Sequence, residues 1–221
     1  MKKQQWLGSG MLLLAAIIWG CAFVAQSVAM EHIGPFTFGG LRFALGGLAL
    51  LPVIALRKKQ GLPSGKTRDL LLGGVLCGGC LFFASAAQQI GLIYTTVGKS
   101  GFITALYVVL VPVAGLLFFR RRVSPLLILS VVAAVGGLYL LCGQTGFTLN
   151  QGDVYTFLCA ILFTGHIMTV DSFVERVDGM QLSCVQFFVC AALNGVAALI
   201  TEPPVTLPMI TASWLPLAYT G

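Results

Sequence analysis

Long uncharged blocks alternate along the chain with short gaps that carry charge, proline or glycine. The blocks fall at about 7–29, 36–56, 70–90, 100–119, 125–142, 153–172 and 179–200, and another begins near residue 211. Each is close to the roughly 20 residues a helix needs to cross the hydrocarbon of a bilayer. A segment surrounded by lipid can satisfy its own backbone groups only as a helix. The pattern therefore predicts an all-α, polytopic membrane bundle of seven helices and the start of an eighth. After Met1-Lys2-Lys3 the chain stays uncharged from Gln4 to Met30. That run exceeds the h-region of a signal peptide, about 7–15 residues, and is read as the first membrane helix.

Composition narrows the class further. Of 221 residues 57% are apolar and 9% charged, against about 25% charged in soluble domains, which excludes a soluble globule. The formal charge of +6 does not point to nucleic acid, because the cations sit in the gaps between apolar blocks. Eleven of the 13 Lys and Arg fall on one side if the N-terminus is cytoplasmic, leaving Arg42 and Lys99 on the other, which is the bias that orients membrane proteins. Reporters fused after Lys59 or Arg122 are then expected inside and one near Gln144 outside. The cysteines, Cys21, Cys77, Cys80, Cys142, Cys159, Cys184 and Cys190, lie within apolar blocks, where cysteine acts as a small apolar filler. Cys77-Gly-Gly-Cys80 has metal spacing, but no second pair or nearby histidine completes four ligands. No metal and no cofactor are expected. Small residues that allow close helix contact are Gly39, Gly40, Gly46, Gly47, Gly73, Gly74, Gly78 and Gly79, with Gly74 and Gly78 forming a GxxxG pair.

A shift of 144 residues places Leu14, Ala16, Ile17, Glu31 and Phe43 on Leu158, Ala160, Ile161, Glu175 and Phe187. The apolar blocks coincide as well. With five helices in the first unit, its copy enters the membrane upside down, as in inverted-repeat transporters.

Several stretches resemble a known family. Trp19-Gly20-Cys21-Ala22-Phe23-Val24, Leu41-Arg42-Phe43, and Ala105 through Pro112 followed by Phe118, Phe119 and a basic run are similar to the first half of an EamA-like transporter of the drug/metabolite transporter superfamily. Gly152-Asp153 resembles the opening of that family's second half, and Ala218-Tyr219-Thr220-Gly221 the beginning of its eighth helix. The resemblance covers nearly all of the chain. It implies two inverted five-helix repeats, here residues 1–143 and an incomplete 150–221, truncated from ten helices. It further implies transport of amino acids or related small organic metabolites, in the export direction, by alternating access. The chain departs from the family pattern at Lys99, where a small or neutral polar residue is usual, and in Arg120-Arg121-Arg122, which lacks a common acidic residue.

Other chemistries fit less well. Gly98-Lys99-Ser100 and Gly65-Lys66-Thr67 end like a P-loop, but Ile93 and Gln60 stand where its first glycine belongs and neither follows a strand. Gly98-Lys99-Ser100-Gly101 resembles the nucleophile motif of rhomboid proteases, with His166 as a base. The predicted helices place the two far apart in depth, roughly 20 Å at 1.5 Å per residue, and no upstream asparagine supplies an oxyanion donor. A channel or a non-transporting bundle is the remaining alternative.

Ionisable and polar residues inside a membrane mark candidate sites. Arg42 is placed to pair with Glu31 or to meet substrate. Lys99, beside the N-terminus of the fourth helix, calls for an anion, whether a substrate carboxylate, a lipid phosphate or Glu31. Gln88, Gln89 and Tyr94 are expected around the same outer vestibule. Trp19, Ala22 and Gln26 form one stripe at spacing i, i+3, i+7, and Thr104 and Tyr107 extend it on the fourth helix. His166 falls opposite Ala22 in the repeat and is read either as a neutral interhelical hydrogen bond or as part of the path. With no nucleotide site, a gradient must supply the driving force, and His166, Glu31 and Asp171 are the expected proton carriers. The expected partners are a small-molecule substrate and the lipid bilayer, with no nucleic acid. A homodimer is the expected route by which a second copy would supply missing helices; otherwise the chain should insert but not transport. The expected location is the plasma membrane, in bacteria the inner membrane.

Overall fold

The computed structural model describes residues 2–59, 66–119, 125–143 and 149–221. Among them are the helices α1 (Lys2–Ala29), α2 (Pro35–Lys59), α3 (Thr67–Tyr94), α4 (Val97–Ala105), α5 (Tyr107–Phe119), α6 (Pro125–Gly143), α7 (Gln151–Val174), α8 (Gly179–Thr201), α9 (Leu207–Ala212) and α10 (Trp214–Thr220), and no strand. Gln60, Gly65, Arg120, Arg121, Arg122 and Gln144 lie outside the described residues. Six spans are long and apolar enough to cross a membrane, with α4 and α5 together forming one of them. The protein is a polytopic helical membrane bundle.

Two expected single helices are divided. The fourth tightens at Leu106, whose amide bonds to Ile103 O at 3.1 Å, three residues back. Neither glycine nor proline marks the place, so an apolar pattern carries no sign of it. The eighth starts at Leu207, earlier than expected, and breaks at Ser213.

Helix α3 is wedged between α7 and α8, and α2 lies against α8. Gly74 and Gly78 make the close approach of α3 to α8 possible. A Cβ on Gly78 would lie 2.7 Å from Val189 Cβ, and one on Gly74 would overlap Val185. Gly39, Gly40, Gly46 and Gly47 turn toward α8 in the same way, whereas Gly79 faces open space. With lipid outside, such packing stands in for the hydrophobic drive of a soluble core.

Helices α2 and α8 run antiparallel and are fastened at both ends by carboxylates. Glu202, just past α8, accepts from Phe36 N at 2.6 Å, Thr37 N at 2.9 Å and Thr37 Oγ1 at 2.5 Å. It thereby satisfies orphan donors at the N-terminus of α2 and complements its dipole. Asp178 caps α8 through Met180 N and Gln181 N, both at 3.1 Å, and also accepts from Arg57 Nη1 at 3.2 Å.

Candidate functional site

The centre of the site is an amide and guanidinium network linking three helices. Arg42 Nη1 on α2 donates to Gln26 Oε1 on α1 at 2.6 Å. Gln89 Nε2 on α3 donates to the same oxygen, while Gln26 Nε2 donates to Ala22 O at 3.0 Å. All three side chains are buried. The guanidinium lies 4.6 Å from the Phe43 ring centroid and 5.4 Å from that of Phe38, within range of cation–π attraction. Arg42 was expected to pair with Glu31 or to meet substrate. Glu31 is instead exposed, and the helical phase of α1 brings Gln26 to Arg42. Among the described residues Arg42 has no acidic partner.

Beside this network is a cavity of about 540 Å³ lined by Trp19 and Phe23 of α1, Thr104 of α4 and Tyr107 of α5. That volume suits a small ligand. Trp19 stacks on Tyr107 with ring centroids 5.7 Å apart, and Phe163 of α7 lies 6.5 Å from Trp19 and 6.1 Å from Tyr107. The network lies one helical turn further along α1, since Gln26 follows Phe23 by three residues, about 4.5 Å of helix. Four buried polar atoms of this region lack a hydrogen-bond partner: Arg42 Nε, Gln88 Nε2, Gln89 Oε1 and Thr104 Oγ1. Such atoms in a membrane protein call for a ligand, an ion or water.

Lys99 has its anion within the protein. Its Nζ donates to Asp153 Oδ2 at 2.8 Å, and both residues are buried. Thr95 Oγ1 donates to Asp153 Oδ1 at 2.5 Å, and Asn150 and Asp153 form a capping box that opens α7. The anion is therefore neither Glu31 nor lipid. Sequence reasoning missed the role of Asp153, although Asn150 three positions ahead of it carries a capping-box signal. The expected common vestibule is divided as well. Lys99 belongs with Asp153, Gln89 belongs with Arg42, and Tyr94 is exposed.

His166 Nε2 lies 2.9 Å from Gln186 Oε1 on α8, to which it can donate as the neutral Nε2–H tautomer. Its ring meets Phe163 edge-on at 6.3 Å, so it adjoins the aromatic cluster from the far side. Ser100 Oγ lies 3.5 Å from Thr156 Oγ1. The contact between Ser100 and His166 that a protease would need is not formed. Of the expected proton carriers, Glu31 and Asp171 are exposed, and the most deeply buried carboxylate is that of Asp153.

The EamA-like transporter family matches residues 6–143. An uncharacterized transporter of Archaeoglobus fulgidus is 30% identical over 190 residues, covering 86% of this chain and 57% of that protein. The uncharacterized transporter YrdR of Bacillus subtilis is 29% identical over 175 residues, covering 74% of this chain and 52% of its own length. The chain spans about half the length of the curated relatives it matches. A solved crystal structure aligns with a TM-score of 0.61 over 94% of this chain and 74% of that one, at 20% identity, a likeness of fold alone.

Proposed function

The chain belongs to the EamA-like transporter family, and from that premise we propose that it carries small organic metabolites, amino acids or related compounds, outward across the plasma membrane by alternating access. The observation that carries this reading is the juxtaposition of an aromatic cavity with a buried polar network that has hydrogen-bonding capacity to spare. A substrate at that place would meet Trp19 and Tyr107 with its apolar part and Arg42, Gln26, Gln88, Gln89 and Thr104 with its polar part. Trp19 and Tyr107 of the cavity wall meet Phe163 of α7, so a ligand there would be held between the two inverted repeats, 1–143 and 150–221. Movement of one repeat against the other would then open it to alternate sides.

In this reading the buried Lys99–Asp153 pair fastens the start of α4 to the start of α7. An N-terminus in the cytoplasm, as the distribution of Lys and Arg favours, puts that link on the outer side and leaves the Arg57–Asp178 pair inside. Flux of radiolabelled metabolites in proteoliposomes of the full-length protein tests the proposal. Saturable counterflow that falls with Tyr107→Ala is the expected result. No flux across a broad panel of amino acids and related compounds would favour a non-transporting bundle.

A further inference from the structure

Arg42 is a cation in a place where cations are costly. It is 8% exposed, lies on a membrane-spanning helix, and bonds to neutral Gln26 rather than to an acid. Two aromatic faces and one amide oxygen offset part of the desolvation, yet Nε is left with no partner. A guanidinium presents a planar fork of donors that matches a carboxylate in two parallel hydrogen bonds. Gln88 Nε2 is another unused donor, whereas Gln89 Oε1 is an unused acceptor. The two unused donors, Arg42 Nε and Gln88 Nε2, suit a negatively charged partner.

The surroundings define the rest of the ligand. The chain has seven acidic residues, and none is placed to receive a ligand's ammonium. Asp153, Asp178 and Glu202 are committed to Lys99, Arg57 and the start of α2. Glu31, Asp171 and Glu175 are exposed, and Asp69 lies in the first turn of α3, at the far end of that helix from Gln89. The cavity lies one turn of α1 from Gln26, the residue that holds the guanidinium, and is walled by aromatic rings.

Building on the transporter reading, we propose that the carried molecule is an organic carboxylate anion with an aromatic or bulky apolar body and no requirement for an amino group. Arg42 holds the carboxylate, and Trp19, Tyr107 and Phe163 hold the body. Lys99 plays no part in anion recognition, because Asp153 already neutralises it.

Three isosteric probes that differ in charge test this in proteoliposomes of the full-length protein: phenylacetate, phenylacetamide and phenethylamine, each measured for saturable binding and uptake. Phenylacetate should bind at least tenfold more tightly than either of the others. Arg42→Gln should abolish that preference, and Arg42→Lys should retain part of it. The comparison of probes on the unaltered protein stands even if a variant fails to fold. Equal binding of phenylacetate and phenylacetamide, or an undiminished preference in folded Arg42→Gln, overturns the carboxylate assignment and leaves the transporter reading standing. Failure of all three probes to bind or move overturns the carboxylate assignment. If broad-panel flux is absent too, the transporter reading falls with it.

Discussion

Phe43 and Phe187 are separated by 144 residues in the chain and meet in the bundle with ring centroids 5.7 Å apart, inclined at 43°. The same 144-residue shift aligns the two stretches read from the sequence as a repeat, and under it these two residues, which touch each other, correspond. That is the geometry expected where a pseudo-twofold axis passes between them. A second pair of contacts agrees. Gly40 faces Ala191 O, and its shifted counterpart Cys184 donates to Gly47 O at 3.6 Å, Gly47 being the counterpart of Ala191. The starts of α2 and α8, Pro35 and Gly179, differ by the same interval.

If the axis passes there, the two phenylalanines are equivalent in energy as well as position. Phe43→Ala and Phe187→Ala should each destabilise the protein to a similar degree, and the double variant should lose less than the sum. The shared ring contact is worth about 0.5–1.5 kcal/mol. A double-mutant cycle on unfolding in detergent measures it, and strict additivity would separate the two rings energetically.

Removing one member of the Lys99–Asp153 pair strands a buried charge. Asp153→Asn should cost about 3–5 kcal/mol, the usual consequence of breaking such a pair. Lys99→Met combined with Asp153→Asn, which removes the stranded charge and keeps a hydrogen-bonding group for Thr95 and the cap of α7, should recover most of it. Thermal melts of the two purified variants and the unaltered protein give the comparison, and an unchanged melt for Asp153→Asn would show that the pair contributes nothing.

The glycines on α3 divide by what they face. Gly74→Leu and Gly78→Leu should abolish the folded, monodisperse species, because no displacement of a side-chain tip makes room for a branched residue against Val185 and Val189. Gly79→Leu, adjacent to Gly78 but facing open space, should leave the size-exclusion profile unchanged.

His166 should behave as a cross-link between α7 and α8. His166→Asn retains a hydrogen-bonding group and is expected to keep transport and its pH dependence within twofold, while His166→Leu, which leaves Gln186 Oε1 without its partner, lowers the melting temperature. A pH profile flattened by His166→Asn would instead make the imidazole a proton carrier.

The helices were legible because each apolar block must close its own hydrogen bonds in lipid; 36–56 was expected where α2 spans Pro35–Lys59. The stripe of Trp19 and Gln26 was legible from helical spacing, and the structure brings both to the site. Pairings between helices were not. Lys99 and Asp153 are 54 positions apart, and only the seating of α7 against α4 brings them together. Glu31 was one of two candidate partners of Arg42, beside substrate, on charge alone; nearness to the same helix end does not fix phase, and Gln26 faces α2 where Glu31 does not. The tightening at Leu106 depends on packing that no local residue announces.

The central claim is a site that opens alternately to each side of the membrane, and Thr104, buried in the cavity wall between α1 and α5, is the position from which to test it. In a background freed of the native cysteines, Thr104→Cys would be exposed to a membrane-impermeant methanethiosulfonate added to one side or the other of oriented vesicles of the full-length protein. Labelling from both sides, slowed by a transported substrate, is the predicted result. Labelling from neither side, or from one side only whatever the conditions, would contradict alternating access through this cavity.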